Sequence, residues 1–325
     1  KKPNCVKLIE LPSNNKCFKD KKISALCFKL IEEESNKLNQ TVLCQKNDNV
    51  YVVVNPSFYP MTTEELDAVY DLPFTRLPHP KYKGKKIPAF DMIRWSVNTH
   101  RGCWGGCAFC TISIHQGKFI VSRSEKSILK EVKRLSEDPD FKGYLTDLGG
   151  PSANMYMMRG RKEELCKKCR RPSCAYPSVC KNMDTNHEKL LALYRNVDNL
   201  PYIKKSFIGS GVRYDIAMHD TETLEVNKIN KLYLRELVNN HVSGRLKVAP
   251  EHTSESVLKI MRKPPFSLFK EFKDFFDREN EKNNLNQQII PYFISSHPGC
   301  TIADMAELAV ETKQLNFHLE QVQDF

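Results

Sequence analysis

Three cysteines, Cys103, Cys107 and Cys110, stand at a C-x3-C-x2-C spacing inside the segment Asn98–Cys110, with Phe109 directly before the last. Three thiolates on one short loop can hold three corners of a cubane iron–sulfur cluster and leave its fourth iron without a protein ligand. A cluster built only for electron transfer normally takes four cysteines, and a structural zinc also takes four ligands. The missing fourth thiolate therefore leaves an iron open to a substrate or cofactor. Gly102, Gly105 and Gly106 let the backbone wrap tightly around such a group. The apolar run Met92–Val97 just upstream reads as a buried strand that presents the loop.

A second group, Cys166, Cys169, Cys174 and Cys180, is interleaved with Lys167, Lys168, Arg170 and Arg171. Its opening C-x2-C could begin a zinc site or a second iron–sulfur cluster, and the spacing does not separate the two. Unpaired structural cysteines are the alternative. The bracketing cations would stabilise thiolates in either metal site. Cys5, Cys17, Cys27 and Cys44 have no metal-like spacing and read as small buried hydrophobes, and Cys300 reads as a single packed thiol. Twelve cysteines without a secretory signal argue against a disulfide scaffold and for metal chemistry in a reducing compartment, the cytoplasm.

With 325 residues, 40% hydrophobic and 27% charged, the chain is long enough for one large α/β domain or two ordinary ones. No apolar run approaches the roughly 18–20 residues of a membrane span, so a membrane partner is not expected. The start, Lys1-Lys-Pro-Asn-Cys5, is neither an initiator methionine nor a signal peptide, and a piece of a longer protein is expected. The net charge of +11 suits a nucleic-acid partner or an acidic substrate. The signs are interspersed, however, so a lysine-rich solvated surface is the favoured reading over nucleic-acid binding.

In order, the pattern predicts a helix over 23–34, a strand at 50–54 and a capped helix from Thr62. A proline-rich strap, 72–88, follows, and His79 within it reads as structural. From residue 91 strands and helices alternate: strands near 92–97, 143–148, 204–209, 245–249 and 288–294, and helices near 123–135, 187–195, 232–239, 254–261, 268–280 and 304–315. A sixth strand is expected from Phe317 to Val322, and a Ser122/Glu125 capping box before the first of these helices. Such alternation implies a parallel sheet. The expected division is an N-terminal α/β extension with its strap over 1–90 and a core over 91–325, carrying a Cys-rich insertion at 152–185.

A C-x3-C-x-aromatic-C loop after a strand resembles the signature of radical S-adenosylmethionine (SAM) enzymes. From about Val50 to Phe325 the chain resembles the YgiQ-type radical SAM family more closely. The resemblance is carried by Thr62–Asp67, Leu77–Pro80, Met92–Asn98, Arg101–Cys107, His115–Ser124, Asp147–Tyr156, Cys169–Cys174, Ser210–Ile216, Leu246–Thr253 and Pro291–Gly299. It implies a partial, open (β/α)6 TIM-like barrel, a [4Fe–4S] cluster on Cys103, Cys107 and Cys110, and SAM chelated by the open iron. It also implies an external one-electron reductant, flavodoxin- or ferredoxin-like, that lets the cluster cleave SAM to a 5′-deoxyadenosyl radical. Cys169, Cys174 and Cys180 fall in the family's pattern, Cys166 less clearly, and members carry a cobalamin-binding-like region beyond this stretch. No substrate or catalytic residue is implied.

In barrels the site lies at the C-terminal strand ends. The second strand ends in Gly149-Gly150, where the superfamily's Gly-Gly-Glu motif would meet the SAM amino group. Pro151 replaces the Glu and leaves backbone carbonyls for that contact; a plain turn is the alternative. The third ends in Gly209–Asp215, where Arg213 could clamp the SAM carboxylate and Ser210 the ribose, against an Arg213–Asp215 surface pair. At the fourth, Glu251 could bond ribose hydroxyls or cap a helix, and His252 is left open. The fifth, Ser295–Cys300, is expected to line the same mouth. The resulting expectation is a radical SAM enzyme of unknown substrate. Its rivals are a radical SAM enzyme that modifies RNA, and a non-enzymatic zinc- or metal-binding module.

Overall fold

The computed structural model describes residues 8–317, 319 and 322–325. Three short strands open it: β1 (Leu8–Leu11), β2 (Val42–Asn47) and β3 (Val50–Val54). β1 and β2 run parallel across the helix Lys21–Ser35, and β3 turns back antiparallel on β2. Asp20 starts that helix by accepting hydrogen bonds from Lys22 N and Ile23 N. Cys27 and Cys44 are buried in this small unit and Cys17 is half-buried, as small apolar fillers; Cys5 lies outside the described residues. The unit is tied to the rest of the chain by a two-pronged Arg262–Glu32 ion pair at 2.6 and 2.9 Å.

The helix Thr63–Tyr70 carries a full capping box between Thr62 and Glu65. Beyond the strap, Met92–Val97 does not form the expected strand. Pro88 opens a helix, Pro88–Ile93, because a proline at the first helical position loses no hydrogen bond there. Met92 and Ile93 end this helix exposed, and only β4 (Ser96–Asn98) is extended. β5 (His100–Arg101) pairs antiparallel with β6 (Val121–Ser122) around the cysteine loop. The helix Glu125–Ser136 is capped by Ser124, whose hydroxyl accepts from Ser127 N. Ser122 is instead held in β6, where its hydroxyl accepts from Met157 N, so the expected capping box starts two residues too early.

The remaining strands are β7 (Tyr144–Leu145), β8 (Asp147–Gly149), β9 (Lys205–Ser206), β10 (Arg245–Glu251), β11 (Gln288–Ser295) and β12 (Val322–Asp324). All of their pairings are parallel: β4 with β8, β7 with β9, and β10–β11–β12. The segment 144–149 reaches β4 through its second half and β9 through its first, and Leu148 N donates to Phe207 O at 2.9 Å to extend the second contact. The expected sixth strand falls partly on His318, Glu320 and Gln321, outside the described residues; β12 begins at its end. The architecture is mixed α/β, and the ladders do not close into a barrel among the described residues.

Helices with one apolar stripe cover these strands. Ile128, Val132 and Leu135 recur at helical spacing on Glu125–Ser136, and Phe269, Phe272 and Phe276 on Phe266–Lys282. Together with Val97, Leu145, Leu148, Leu246 and Val248 from the strands they form one continuous core. A polar strut crosses it. His187 Nδ1 sits 2.7 Å from Asn230 Oδ1, and His187 Nε2 sits 3.2 Å from Asn154 Nδ2. Asn154 also brackets the backbone of Arg213: its Oδ1 accepts from Arg213 N and its Nδ2 donates to Arg213 O. The second of these fixes the amide's orientation, so His187 Nε2 accepts and Nδ1 carries the proton. A charged imidazolium would aim Nε2–H at an amide that only donates there.

Burial accordingly depresses His187 to a pKa of about 4, and burial likewise takes His100 to about 4. Between that value and the ordinary value near 6.5 the unfolded chain binds protons that the folded chain refuses. Stability contributed by the neutral rings is present above pH ~6.5 and lost as pH falls toward 4. The thermal midpoint should therefore fall across that window. The His187→Ala variant should be destabilised by about 3 kcal/mol through stranded Asn154 and Asn230 amides. It should also show a shallower acid limb in thermal melts; an unchanged limb would exclude His187 as a source.

Candidate functional site

The cysteine loop leaves β5 and is held at several points. Cys103 N donates to Gly117 O at 3.0 Å, Ala108 N to Met261 O at 3.0 Å, and Cys110 N to Cys107 O at 3.1 Å. Trp104, almost fully buried, anchors its middle. Gly106 is required twice over: its φ is +59°, and a Cβ there would collide with the backbone of Pro172 and Ser173. Cys103, Cys107 and Cys110 are free thiols that line one cavity of about 360 Å³. Its other walls include Phe109, Ser210, Arg213, Lys247, Glu251 and Lys263, with neither a fourth cysteine nor a histidine among the described residues of the lining. Burial pushes the Cys103 thiol up to about 11, against the pull of the nearby Arg213 cation, and burial also raises Cys110.

Arg213 is buried, not at the surface, and its fork is already engaged. Nε donates to Asp215 Oδ1 at 2.9 Å and Nη2 to Oδ2 at 2.5 Å, while Nη1 lies 3.5 Å from Cys107 Sγ. Burial opposes both charges, but the pair outweighs it: Asp215 is held below the usual carboxylate range and Arg213 above the usual guanidinium value. What Arg213 offers the cavity is Nη1, not a free two-pronged clamp. Gly105 lies directly against that guanidinium, where a Cβ would not fit.

Ser210 lines the cavity, and its hydroxyl and amide both donate to Asp147 Oδ1 at 3.1 Å, joined by Gly209 N at 2.8 Å. Burial raises the Asp147 carboxyl nonetheless. Gly149 and Gly150 are buried and stand behind the lining. A Cβ at Gly149 would strike the Ser210 hydroxyl, and one at Gly150 the His100 ring. The Gly149 carbonyl accepts from both Thr99 N and Thr99 Oγ1, at 2.7 and 3.1 Å. These glycines therefore serve strand packing, and their neighbours Pro151 and Ser152 form the wall.

Glu251 sits at a β-bulge with φ +72°, a left-handed conformation uncommon outside glycine, and its Oε1 lies 3.7 Å from Lys263 Nζ. His252 is turned to structural use: Nδ1 accepts from Ser254 N at 3.0 Å and Nε2 lies 3.6 Å from Cys300 Sγ. Neither His252 nor Cys300 lines the cavity; from that fifth strand end, His297 meets Phe109 edge-on at 6.2 Å. Cys166, Cys169, Cys174 and Cys180 line a separate, mainly apolar cavity of about 170 Å³. Sequence reasoning assigned no role to Lys263, Asp147, Asn154 or His187. Asp147 and Asn154 lie inside a segment that carried the family resemblance, but Lys263 and His187 have no local signal.

The description "Radical SAM N-terminal" matches residues 1–96. A UPF0313 protein of Bacteroides thetaiotaomicron is 65% identical over 317 residues, covering 98% of this chain and 51% of that protein. A UPF0313 protein of Porphyromonas gingivalis is 57% identical, covering 96% of this chain and 49% of its own length. The UPF0313 protein YgiQ of Escherichia coli is 46% identical, covering 97% and 41%. The chain thus spans about half the length of the curated relatives it matches. With nearly the full chain matched at these identities, this chain belongs to the UPF0313 family of YgiQ-type radical SAM proteins.

Proposed function

We propose that this chain carries the catalytic core of a radical SAM enzyme, with residues 91–325 arranged as an open (β/α)6 barrel and residues 1–90 as its N-terminal extension. Cys103, Cys107 and Cys110 would hold a [4Fe–4S] cluster, and the SAM molecule on its open iron would occupy the cavity they line. The observation that carries this reading is that three free thiols, and among the described residues no fourth cysteine or histidine, share one cavity with Ser210, Arg213 and Glu251. When bound, the cluster and SAM supply one-electron cleavage of the sulfonium to a 5′-deoxyadenosyl radical that takes hydrogen from a substrate. The protein's own part is orientation and exclusion of water.

Each lining residue has a role that its contacts support. Arg213 Nη1 donates toward Cys107 Sγ and would offset the charge of a metal-bound sulfur there. Asp215 keeps the guanidinium in place. Ser210, locked to Asp147, presents its hydroxyl oxygen, and the Glu251–Lys263 pair presents one acceptor and one donor of opposite charge. Gly149 and Gly150, behind the wall, let the Ser210 hydroxyl and the His100 ring pack close to the strand end that carries Pro151 and Ser152. The electron comes from a flavodoxin- or ferredoxin-like protein in the cytoplasm. No helix among the described residues is long and apolar enough to cross a membrane.

The direct test is anaerobic reconstitution followed by incubation with SAM and a strong one-electron reductant, with 5′-deoxyadenosine quantified. Product should accumulate in proportion to enzyme and reductant; a fully loaded protein that makes none would sink the proposal. Replacing Cys107 with Ala should remove about four irons per chain and all of the product, so unchanged iron content would reassign the loop. Asp215→Asn strands a buried cation and should cost about 3–5 kcal/mol in stability. It should also weaken SAM binding with the iron count unchanged, measured by equilibrium dialysis.

A further inference from the structure

The insertion returns its four cysteines to a single place. A bridge between Gly160 and Met183, with Arg161 N donating to Asn182 O and Asp184 N to Arg159 O, closes its base. Within it, Cys169 N donates to Cys166 O and Cys180 N to Cys174 O. All four cysteines are free and line the cavity of about 170 Å³, together with Trp104, Lys118 and Met158. The indole N–H of Trp104 is buried and has no acceptor among the described residues.

From this the geometry points to a second iron–sulfur site: Cys166, Cys169, Cys174 and Cys180 hold a [4Fe–4S] cluster of their own, ligated at all four irons. Two observations favour a cluster over a single zinc. Among the described residues no three Cys, His, Asp or Glu side chains converge closely enough to hold one ion. A tetrahedral zinc needs its sulfurs about 3.8 Å apart at a Zn–S bond of about 2.3 Å, whereas a cubane spreads its ligands to its corners. The cavity is also several times the roughly 30 Å³ share of one water, so a lone ion would leave most of it empty. A cluster sulfur would give the Trp104 N–H its acceptor, and Lys118 on the wall would offset the charge of four thiolates.

The position gives this cluster its chemistry. Trp104 lies between Cys103 and Cys107, its carbonyl accepts from Cys174 N at 2.9 Å, and Ser173 Oγ donates to Gly105 O at 2.5 Å. Cys103 packs in the same apolar cluster as Cys174 and Cys180. The second site is therefore one hydrogen bond from the loop. Held by four cysteines and with no open iron, such a cluster would supply single-electron transfer, from the external reductant protein to the cluster on Cys103, Cys107 and Cys110, with no bond made or broken. The relay rests on the function proposed above; the presence of the cluster does not.

Iron and acid-labile sulfide would be counted on the anaerobically reconstituted chain, on a Cys103→Ala/Cys107→Ala/Cys110→Ala variant and on a Cys174→Ala/Cys180→Ala variant. The expected contents are about eight, four and four irons per chain. No iron in the first variant, or one zinc in its place, overturns the second cluster. Because the insertion is intact in that variant, its result stands even if the second variant does not fold. Four irons in the first variant with none in the second would keep this site while sinking the loop cluster. For the relay, the second variant should lose most of its 5′-deoxyadenosine formation with reduced flavodoxin and keep it with dithionite; equal losses with both overturn it.

Discussion

The cavity depends on a cation that is fixed before any ligand arrives. Arg213 is buried, and an unpaired guanidinium there would cost several kcal/mol. Asp215 satisfies two of its edges and Cys107 Sγ faces the third. The backbone at Arg213 is clamped by Asn154, which His187 and Asn230 hold in turn, and the neighbouring Tyr214 stacks on Phe272 in the core. One residue, through its side chain and its backbone, thus joins three segments far apart in sequence: the cysteine loop, the turn after β8 and the end of the β9 region. Gly105 completes the arrangement because only a residue without Cβ lets the loop lie on the guanidinium.

The loop is braced on its other sides by groups that also shape the site. Met261, which receives Ala108 N, is the last residue of the helix Glu255–Met261. Arg262 then turns in a left-handed conformation (φ +59°), sends its guanidinium to Glu32, and leaves Lys263 facing Glu251. These three consecutive residues therefore carry the loop's anchor, the link to the N-terminal unit and the cavity's lysine. Opposite them, Ser173 and Cys174 of the insertion grip Gly105 and Trp104. A loop held from both sides keeps its three sulfurs in place by protein contacts alone.

Much of this was legible in the sequence because the signals were local. The cysteine spacing, the Thr62 cap and the apolar stripes at 128–135 and 269–276 each need only a few adjacent residues. Alternation of strands and helices gave the parallel sheet. The failures have physical causes of the same kind. Met92–Val97 is apolar enough for a strand, but Pro88 starts a helix that consumes its first two residues. The Gly149 carbonyl looked free for a ligand, yet Thr99, fifty residues earlier, takes it with two donors. Arg213 looked like a carboxylate clamp or a surface pair, because burial of its partner two residues on is a tertiary fact. Lys263 and His187 had no local pattern, since their partners lie more than ten residues away.

The end of β10 shows why such a site tolerates a locally unfavourable backbone. A non-glycine residue at φ +72° costs on the order of 1–3 kcal/mol and persists only when its surroundings fix it; here the bulge against β11 does so. In return Glu251 lies near Lys263 at 3.7 Å, inside ion-pair range but too long for a direct hydrogen bond. Each partner keeps unfilled hydrogen-bonding capacity, although both are nearly buried. Under the function proposed above, two opposite charges held close yet without a hydrogen bond to one another would suit a ligand that bears both donors and acceptors. With Arg213 balanced by Asp215 and Lys263 by Glu251, Lys247 leaves the same wall with surplus positive charge, which under the function proposed above would favour a carboxylate-bearing ligand.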